Sequence, residues 1–175
     1  PFDYEIVDNT YGPYDNLSLL VTLMPDGNME KTVVGSVAGA LRADPSFPQD
    51  WEKLKAIFRN PSLQLITFTI TEKGYALTGL DGSFTPLAEK DFAAGPEKCV
   101  SAMGKVTALL LERFRAGKYP MAVVSTDNCS RNGEKVRRGV VTMAEKWLDK
   151  GFVSKDFTAW LEDESNVSFP WTMID

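Results

Sequence analysis

Apolar and polar positions along the chain follow two periods, one typical of strands and one typical of helices. Residues 17–23 (LSLLVTL) form a short apolar run, and a turn signal at residues 25–28 (PDGN) separates it from a second run at residues 31–34. This pattern predicts a β-hairpin. Residues 63–71 (LQLITFTIT) and 121–124 (MAVV) are apolar on both faces, as expected of buried strands in a parallel sheet.

Three segments place apolar residues three or four positions apart, as amphipathic helices do. The first begins at Pro48 and ends at an Asn-Pro pair, the second runs from Pro96 to Gly117, and the third ends at Gly151. Because these helices alternate with the apolar strands, we expect right-handed crossovers and a mostly parallel sheet with helices on both faces. The predicted fold class is α/β, in one domain over residues 1–175.

Composition narrows the class of function. A net charge of −5, from 19 basic and 24 acidic side chains, gives no basic surface for nucleic acid. No apolar run reaches the ~18 residues of a membrane span, so no membrane association is expected. Histidine is absent, which removes the commonest general base and zinc ligand. Cys99 and Cys129 match no metal or disulfide pattern, and we expect a reduced, cytoplasmic protein that binds no metal.

Polar segments follow both predicted parallel strands. They are TEKGY (71–75) after the first strand and STDNCSRNG (125–133) after the second. In an open α/β sheet the ligand lies beyond the carboxyl ends of the strands, so we expect both segments to face one crevice. Ser130 or Asn132 could cap the helix that follows, and capping and ligand binding stay open as alternatives. Glu72 alone is equally compatible with a solvated loop carboxylate.

Three segments, TITEKGY (69–75), DNCSRNG (127–133) and SFPWTMID (168–175), occur in an order and spacing that resemble those of one family. It is the long-chain mannitol dehydrogenase family, which includes mannitol 2-dehydrogenase, fructuronate reductase and tagaturonate reductase. The resemblance covers nearly the whole chain. It implies a Rossmann-type domain of a metal-independent oxidoreductase that uses NAD, with NADP left open. The implied reaction interconverts a secondary alcohol of a polyol or sugar acid with its ketone.

The resemblance also implies roles for individual residues. Asn128 would donate a hydrogen bond to the oxygen that becomes alkoxide-like during hydride transfer. Asp175 would hold substrate hydroxyls or the catalytic lysine. Thr71 and Glu72 would line the nicotinamide end of the cleft together with Asn128. Arg131 stands where related sequences often carry histidine, which leaves the substrate contacts of this loop open.

Two parts of such enzymes have no counterpart in the sequence. The glycine-rich first βαβ unit would lie before Pro1, and the helical substrate domain with the catalytic lysine would lie after Asp175. We therefore expect an incomplete Rossmann domain that is inactive alone and is partnered by the C-terminal helical domain of the same enzyme. The form DNCSRNGE (127–134) is slightly closer to fructuronate reductase. The alternative is a stand-alone α/β module that binds a sugar or a partner without catalysis.

Overall fold

The computed structural model describes residues 4–173, except the side chains of residues 72 and 73. Two short helical turns, Ile6–Tyr11 and Gly12–Tyr14, precede the regular elements. The elements then follow in the order β1 (Ser18–Leu23), β2 (Met29–Val34), α1 (Pro48–Arg59), β3 (Leu65–Phe68), α2 (Thr71–Tyr75), α3 (Pro86–Ala94), α4 (Ala102–Gly117), β4 (Met121–Ser125), α5 (Asn132–Asp149), α6 (Lys155–Glu162) and β5 (Val167–Ser168). None of the helices described combines the length and the hydrophobicity of a membrane span.

The strands form two separate sheets. β1 and β2 pair antiparallel, with Leu20 opposite Thr32, and so form the predicted hairpin. β3, β4 and β5 form a parallel sheet with β4 in the centre, and Leu65 of β3 lies opposite Ala122 of β4. α2, α3 and α4 connect β3 to β4, and α5 and α6 connect β4 to β5. The α/β fold class is therefore confirmed.

The first predicted parallel strand is shorter and more exposed than its sequence pattern indicates. β3 covers only Leu65–Phe68 of the predicted 63–71, and its residues alternate between exposed and half-buried. It lies at the edge of the described sheet and pairs with β4 on one side only. Thr71 then turns the chain into α2 with a left-handed φ of 62°. The prediction of a strand buried on both faces was wrong here, whereas the central strand β4 is buried or half-buried throughout.

The helix predicted to begin at Pro96 begins instead at Ala102. The reason is a contact with the preceding helix, α3, which contains Asp91. The carboxylate of Asp91 accepts the backbone N–H groups of Val100 and Ser101, each at 2.8 Å, and this holds the preceding segment as a loop. Ser101 then caps α4, because its hydroxyl oxygen accepts a free N–H group of the first turn at 3.0 Å.

The core lies between β4 and the helices α4, α5 and α6. Its largest fully buried apolar side chains are Trp147, Phe157, Met103, Leu110, Met143 and Leu161. The indole Nε1 of Trp147 donates to the backbone oxygen of Asp91 at 2.9 Å, so the polar atom of this buried ring is paired. The core thus fixes α4 and α5 against the central strand of the parallel sheet.

Arg113 of α4 is a fully buried cation, with 0% of its surface exposed. Its guanidinium donates to five backbone carbonyl oxygens at 2.5–3.0 Å, which belong to Phe58, Asn60, Leu63, Tyr119 and Pro120. Burial lowers the pKa of Arg113 below its ordinary value. This side chain fixes the loops that lead into β3 and β4.

We expect Arg113→Lys to reduce the free energy of unfolding by about 2 kcal/mol, because an ammonium group cannot serve five carbonyls and leaves buried acceptors unpaired. Urea unfolding followed by circular dichroism measures the change. Arg115→Lys is the matched control. The side chain of Arg115 is 51% exposed and forms an ion pair with Glu112, one helical turn away, at 3.5 Å. Equal stability of the two variants would contradict the prediction.

Candidate functional site

The carboxyl ends of the three parallel strands are joined by hydrogen bonds. The hydroxyl oxygens of Thr69 and Thr126 lie 2.6 Å apart, and the Thr126 N–H group donates to the backbone oxygen of Phe68 at 2.9 Å. The hydroxyl of Thr172, which follows β5, donates to the backbone oxygen of Ser125 at 2.6 Å. The structure therefore brings together the two segments that were expected to face one crevice, and it adds the segment after β5.

Asp127 is the buried carboxylate of this edge. It is 7% exposed and accepts the backbone N–H groups of Ile70 at 2.9 Å and Thr71 at 3.0 Å, as well as the phenol of Tyr75. Burial opposes its ionisation, but these three donors outweigh burial and hold the pKa of Asp127 below its ordinary value. Burial and the neighbouring Asp127 together raise the pKa of Tyr75. One side chain after β4 thus holds the whole segment after β3.

Thr71 is held in a conformation that branched residues rarely adopt. Its φ of 62° lies in the left-handed region, where the branched side chain meets steric cost. The hydrogen bond from its N–H group to Asp127 compensates for part of this cost. Strained backbone of this kind concentrates at functional sites, and the Thr71 side chain is exposed.

We expect Asp127→Asn to lower the free energy of unfolding at pH 7 by about 2 kcal/mol, because the amide replaces an ionised acceptor of three hydrogen bonds. The folded-state pKa of Asp127 is depressed, so its contribution is present above the unfolded-state pKa and is lost as the pH falls through the folded-state pKa. The difference between wild type and variant should therefore shrink below about pH 4.

Thermal unfolding of both proteins between pH 7 and pH 2.5 measures this difference. Asp149→Asn is the control, because the side chain of Asp149 is 71% exposed. A difference between wild type and Asp127→Asn that stays constant over this range would contradict the assigned charge state.

Asn132 links the loop after β4 to the loop after β5. It is fully buried, and its Nδ2 donates to the backbone oxygen of Asp127 at 3.1 Å and to the hydroxyl oxygen of Thr172 at 2.7 Å. Its Oδ1 accepts the backbone N–H group of Thr172 at 3.0 Å. Neither Ser130 nor Asn132, which were considered as possible caps, occupies the cap position of α5. Arg131 occupies the cap position with a left-handed φ of 55°, and the Asn132 side chain is used between loops instead.

Gly133 permits the closest approach at this edge. A Cβ atom at this position would lie 2.3 Å from the backbone oxygen of Phe169 and 2.6 Å from that of Pro170. The first turn of α5 therefore lies directly against the chain that leaves β5. Any side chain larger than hydrogen would force these two segments apart.

Asn128 presents the exposed amide of the edge. Its side chain is exposed and has no hydrogen-bond partner among the residues that the structure describes, although its neighbour Asp127 is fully engaged. Thr71 is brought to the same place, because Asp127 binds its N–H group. The side chain of Glu72 and the whole of Asp175 lie outside the described residues, so their roles stay predictions.

Three residues of this edge, Tyr75, Asp127 and Thr172, were quoted in the motifs without a role, and Asn132 was considered only as a helix cap or a ligand-binding residue. Tyr75, Asp127, Asn132 and Thr172 form the hydrogen-bonded network, and the first three are buried. A sequence signal existed, since polar residues directly after buried strands are often enclosed when the loops pack together. Which of them are enclosed depends on contacts between loops that are distant in sequence.

A cleft of about 450 Å³ opens beside Tyr75, between residues 75–78 and α5. Phe84 and Gly139 give it apolar surface, and Arg138 contributes a cation.

The structure describes residues 4–173, except the side chains of residues 72 and 73. Among these residues, no group of three or more cysteine or carboxylate side chains could hold a metal ion.

Comparison with known proteins agrees with the three motifs. Residues 15–175 match the family model described as the mannitol dehydrogenase Rossmann domain. The D-mannonate oxidoreductase of Thermotoga maritima is 53% identical over 174 residues, which are 99% of this chain and 32% of that protein. The chain spans about a third of the length of the curated relatives that it matches.

Solved structures show the same fold. A crystal structure of D-sorbitol dehydrogenase in substrate-free form superposes with a TM-score of 0.76 at 27% identity, over 98% of this chain and 33% of that chain. A ternary complex of Pseudomonas fluorescens mannitol 2-dehydrogenase with NAD and D-mannitol superposes with a TM-score of 0.73 at 26% identity, over 95% of this chain and 32% of that chain. Both likenesses extend over nearly all of the present chain.

Proposed function

The chain belongs to the mannitol dehydrogenase family, whose Rossmann-domain model its residues 15–175 match, and from this membership we propose that it is part of an NAD-dependent oxidoreductase. The proposed reaction is hydride transfer between a secondary alcohol of a polyol or sugar acid and its ketone. The observation that carries the proposal is the meeting of three motif loops at the carboxyl edge of the parallel sheet, where folds of this type bind dinucleotides.

A sugar acid is the preferred substrate class within this proposal. The relative at 53% identity is named for D-mannonate, whereas the structure named for mannitol is 26% identical. The finer proposal is a reductase of the fructuronate type. It agrees with the form of the motif at residues 127–134.

The exposed groups at the edge fit the nicotinamide end of NAD. Thr71 and Asn128 offer a hydroxyl and an amide on loops that a buried carboxylate holds in place, and such neutral groups pair with a carboxamide. We propose Thr71, Glu72 and Asn128 as the residues of this chain that hold the cofactor. When bound, NAD supplies or accepts the hydride.

Asn128 has the central chemical role in the proposal. Its Nδ2 donates a hydrogen bond to the substrate oxygen on which negative charge develops, so it stabilises the transition state more than the bound substrate. Asp127 positions Asn128 because it is the adjacent residue and its carboxylate is fixed by three donors. Asp175 holds substrate hydroxyls or the lysine that the family resemblance implies as the general acid/base.

We further propose that the chain acts within a longer polypeptide. The relatives are about three times as long, and the resemblance implies that their remaining parts supply a phosphate-binding βαβ unit and a helical substrate domain. The 175-residue chain alone is therefore proposed to be inactive.

Oxidation of NADH by the full-length gene product that contains these 175 residues tests the proposal. Fructuronate, tagaturonate and fructose are offered separately, and turnover with fructuronate is expected to exceed that with fructose. Turnover by the 175-residue chain alone would contradict its proposed dependence on further residues. Absence of turnover with every substrate would favour the alternative, a stand-alone α/β module that binds a sugar or a partner without catalysis.

A further inference from the structure

The β1–β2 hairpin has two chemically different faces. Directly opposed residues of an antiparallel pair lie on the same face, and successive residues alternate. One face carries five apolar side chains and one lysine, from three opposed pairs: Leu19 with Val33, Val21 with Lys31, and Leu23 with Met29. The other face is mainly polar and carries Ser18, Leu20, Thr22, Glu30, Thr32 and Val34. This alternation is the pattern of a strand pair that buries one face.

The apolar face is uncovered in the described part of the chain. Its five apolar side chains are between 42% and 75% exposed. A two-stranded hairpin in water is marginal unless it packs against another element, and contiguous exposed apolar surface marks an interaction site. The hairpin nevertheless retains a full ladder of six opposed pairs. The pattern of apolar residues in the hairpin is therefore typical of a strand pair whose apolar face packs against another segment.

We propose that the apolar face of the hairpin packs against a segment of the same gene product outside residues 1–175. This inference rests on the proposed function, in so far as it places the chain within a longer polypeptide. The chain spans about a third of the length of its curated relatives, so a polypeptide of that length has residues to form the cover. The cover belongs to the protein's own architecture and not to a transient partner.

Lys31 argues against a second copy of the chain as the cover. It lies in the middle of the apolar face, opposite Val21. In a symmetric pair of hairpins stacked on this face, two ammonium groups would be brought together in apolar surroundings, which is unfavourable. The covering segment is instead expected to offer apolar side chains around one carboxylate or carbonyl oxygen, which accepts a hydrogen bond from Lys31.

Hydrogen exchange of the backbone amides of β1 and β2 tests the inference. We compare the 175-residue chain with the full-length gene product at the same pH and temperature. The hydrogen-bonded amides of the hairpin are expected to exchange about 100-fold more slowly in the full-length protein, because the cover must leave before the hairpin opens. Amides of the central strand β4 serve as the internal reference.

Two neighbouring leucines give matched variants. Leu19 is 57% exposed on the apolar face, and Leu20 is 55% exposed on the opposite face. In the full-length protein, Leu19→Ser is expected to lower the Tm by about 2 °C or more and to restore fast exchange, whereas Leu20→Ser leaves both unchanged. In the 175-residue chain alone the two variants should behave alike.

Three results would overturn the inference: equal exchange in the short and full-length proteins, a gene product that holds no residues beyond these, or hairpin protection that rises with concentration as the short chain dimerises. Light scattering at several concentrations identifies the dimer. A protected hairpin without any turnover would remove the proposed oxidoreductase and leave the inference in place. Turnover with an unprotected hairpin would do the reverse.

Discussion

Asn128→Ala in the full-length gene product is expected to lower kcat by about 100-fold or more with little change in KM. The amide is proposed to act on charge that develops only in the transition state, so its loss leaves substrate binding largely intact. Stability should not change, because the Asn128 side chain is exposed and has no hydrogen-bond partner among the described residues. Steady-state NADH oxidation and thermal unfolding of the same preparation measure both quantities.

Asn28→Ala is the matched control for this variant. Asn28 is also exposed, but it lies in the β1–β2 turn, where its side-chain amide donates only to Asp26 among the described residues. Its removal is expected to leave kcat unchanged. A loss of kcat of less than about threefold in Asn128→Ala would refute the proposed role of the amide, and a large rise in KM would point to ground-state binding instead.

Gly133→Ala is expected to lower the free energy of unfolding by about 3 kcal/mol or more. The added methyl group would lie 2.3 Å from the backbone oxygen of Phe169 and 2.6 Å from that of Pro170. Backbone cannot rotate away as a flexible side chain can, so the first turn of α5 must separate from the chain after β5. That separation also stretches the bonds between Asn132 and Thr172.

Urea unfolding measures the stability loss, and Gly39→Ala provides the control. A Cβ atom at Gly39 would meet no atom within 4 Å, so this variant is expected to change stability by less than about 0.5 kcal/mol. If Gly133→Ala unfolds at the same urea concentration as wild type, the close packing of α5 on this loop is wrong.

The sequence pattern predicted the elements that carry their own periodicity. The hairpin, α1, β4 and α5 lie where their apolar spacing placed them. β5 has only two residues, which is too short to display a period. α6 buries Phe157, Trp160 and Leu161 at helical spacing, a signal that the sequence analysis did not use. The start of α4 could not be predicted, because it is set by the carboxylate of Asp91 from a different helix.

The sequence predicted which loops form the candidate site, but it did not predict which of their side chains are buried and which are exposed. The motifs identified the correct loops, and yet the adjacent Asp127 and Asn128 have opposite environments, one buried and one exposed. That difference arises when the N–H groups of Ile70 and Thr71 meet the carboxylate, a contact between residues more than fifty positions apart. The roles of Asn128, Thr71, Glu72 and Asp175 stay predictions, and the Asn128→Ala variant tests the first of them.

The placement of Arg113 and Asp127 bears on how the two longer parallel strands are aligned. β3 and β4 share a ladder of four pairs, which alone resists sliding weakly. Arg113 holds the chain before both strands, and Asp127 holds the chain after β3 to the end of β4. A shift of one strand along the other would break the hydrogen bonds of both Arg113 and Asp127. The alignment of β3 on β4 is therefore secured at its two ends rather than along its length.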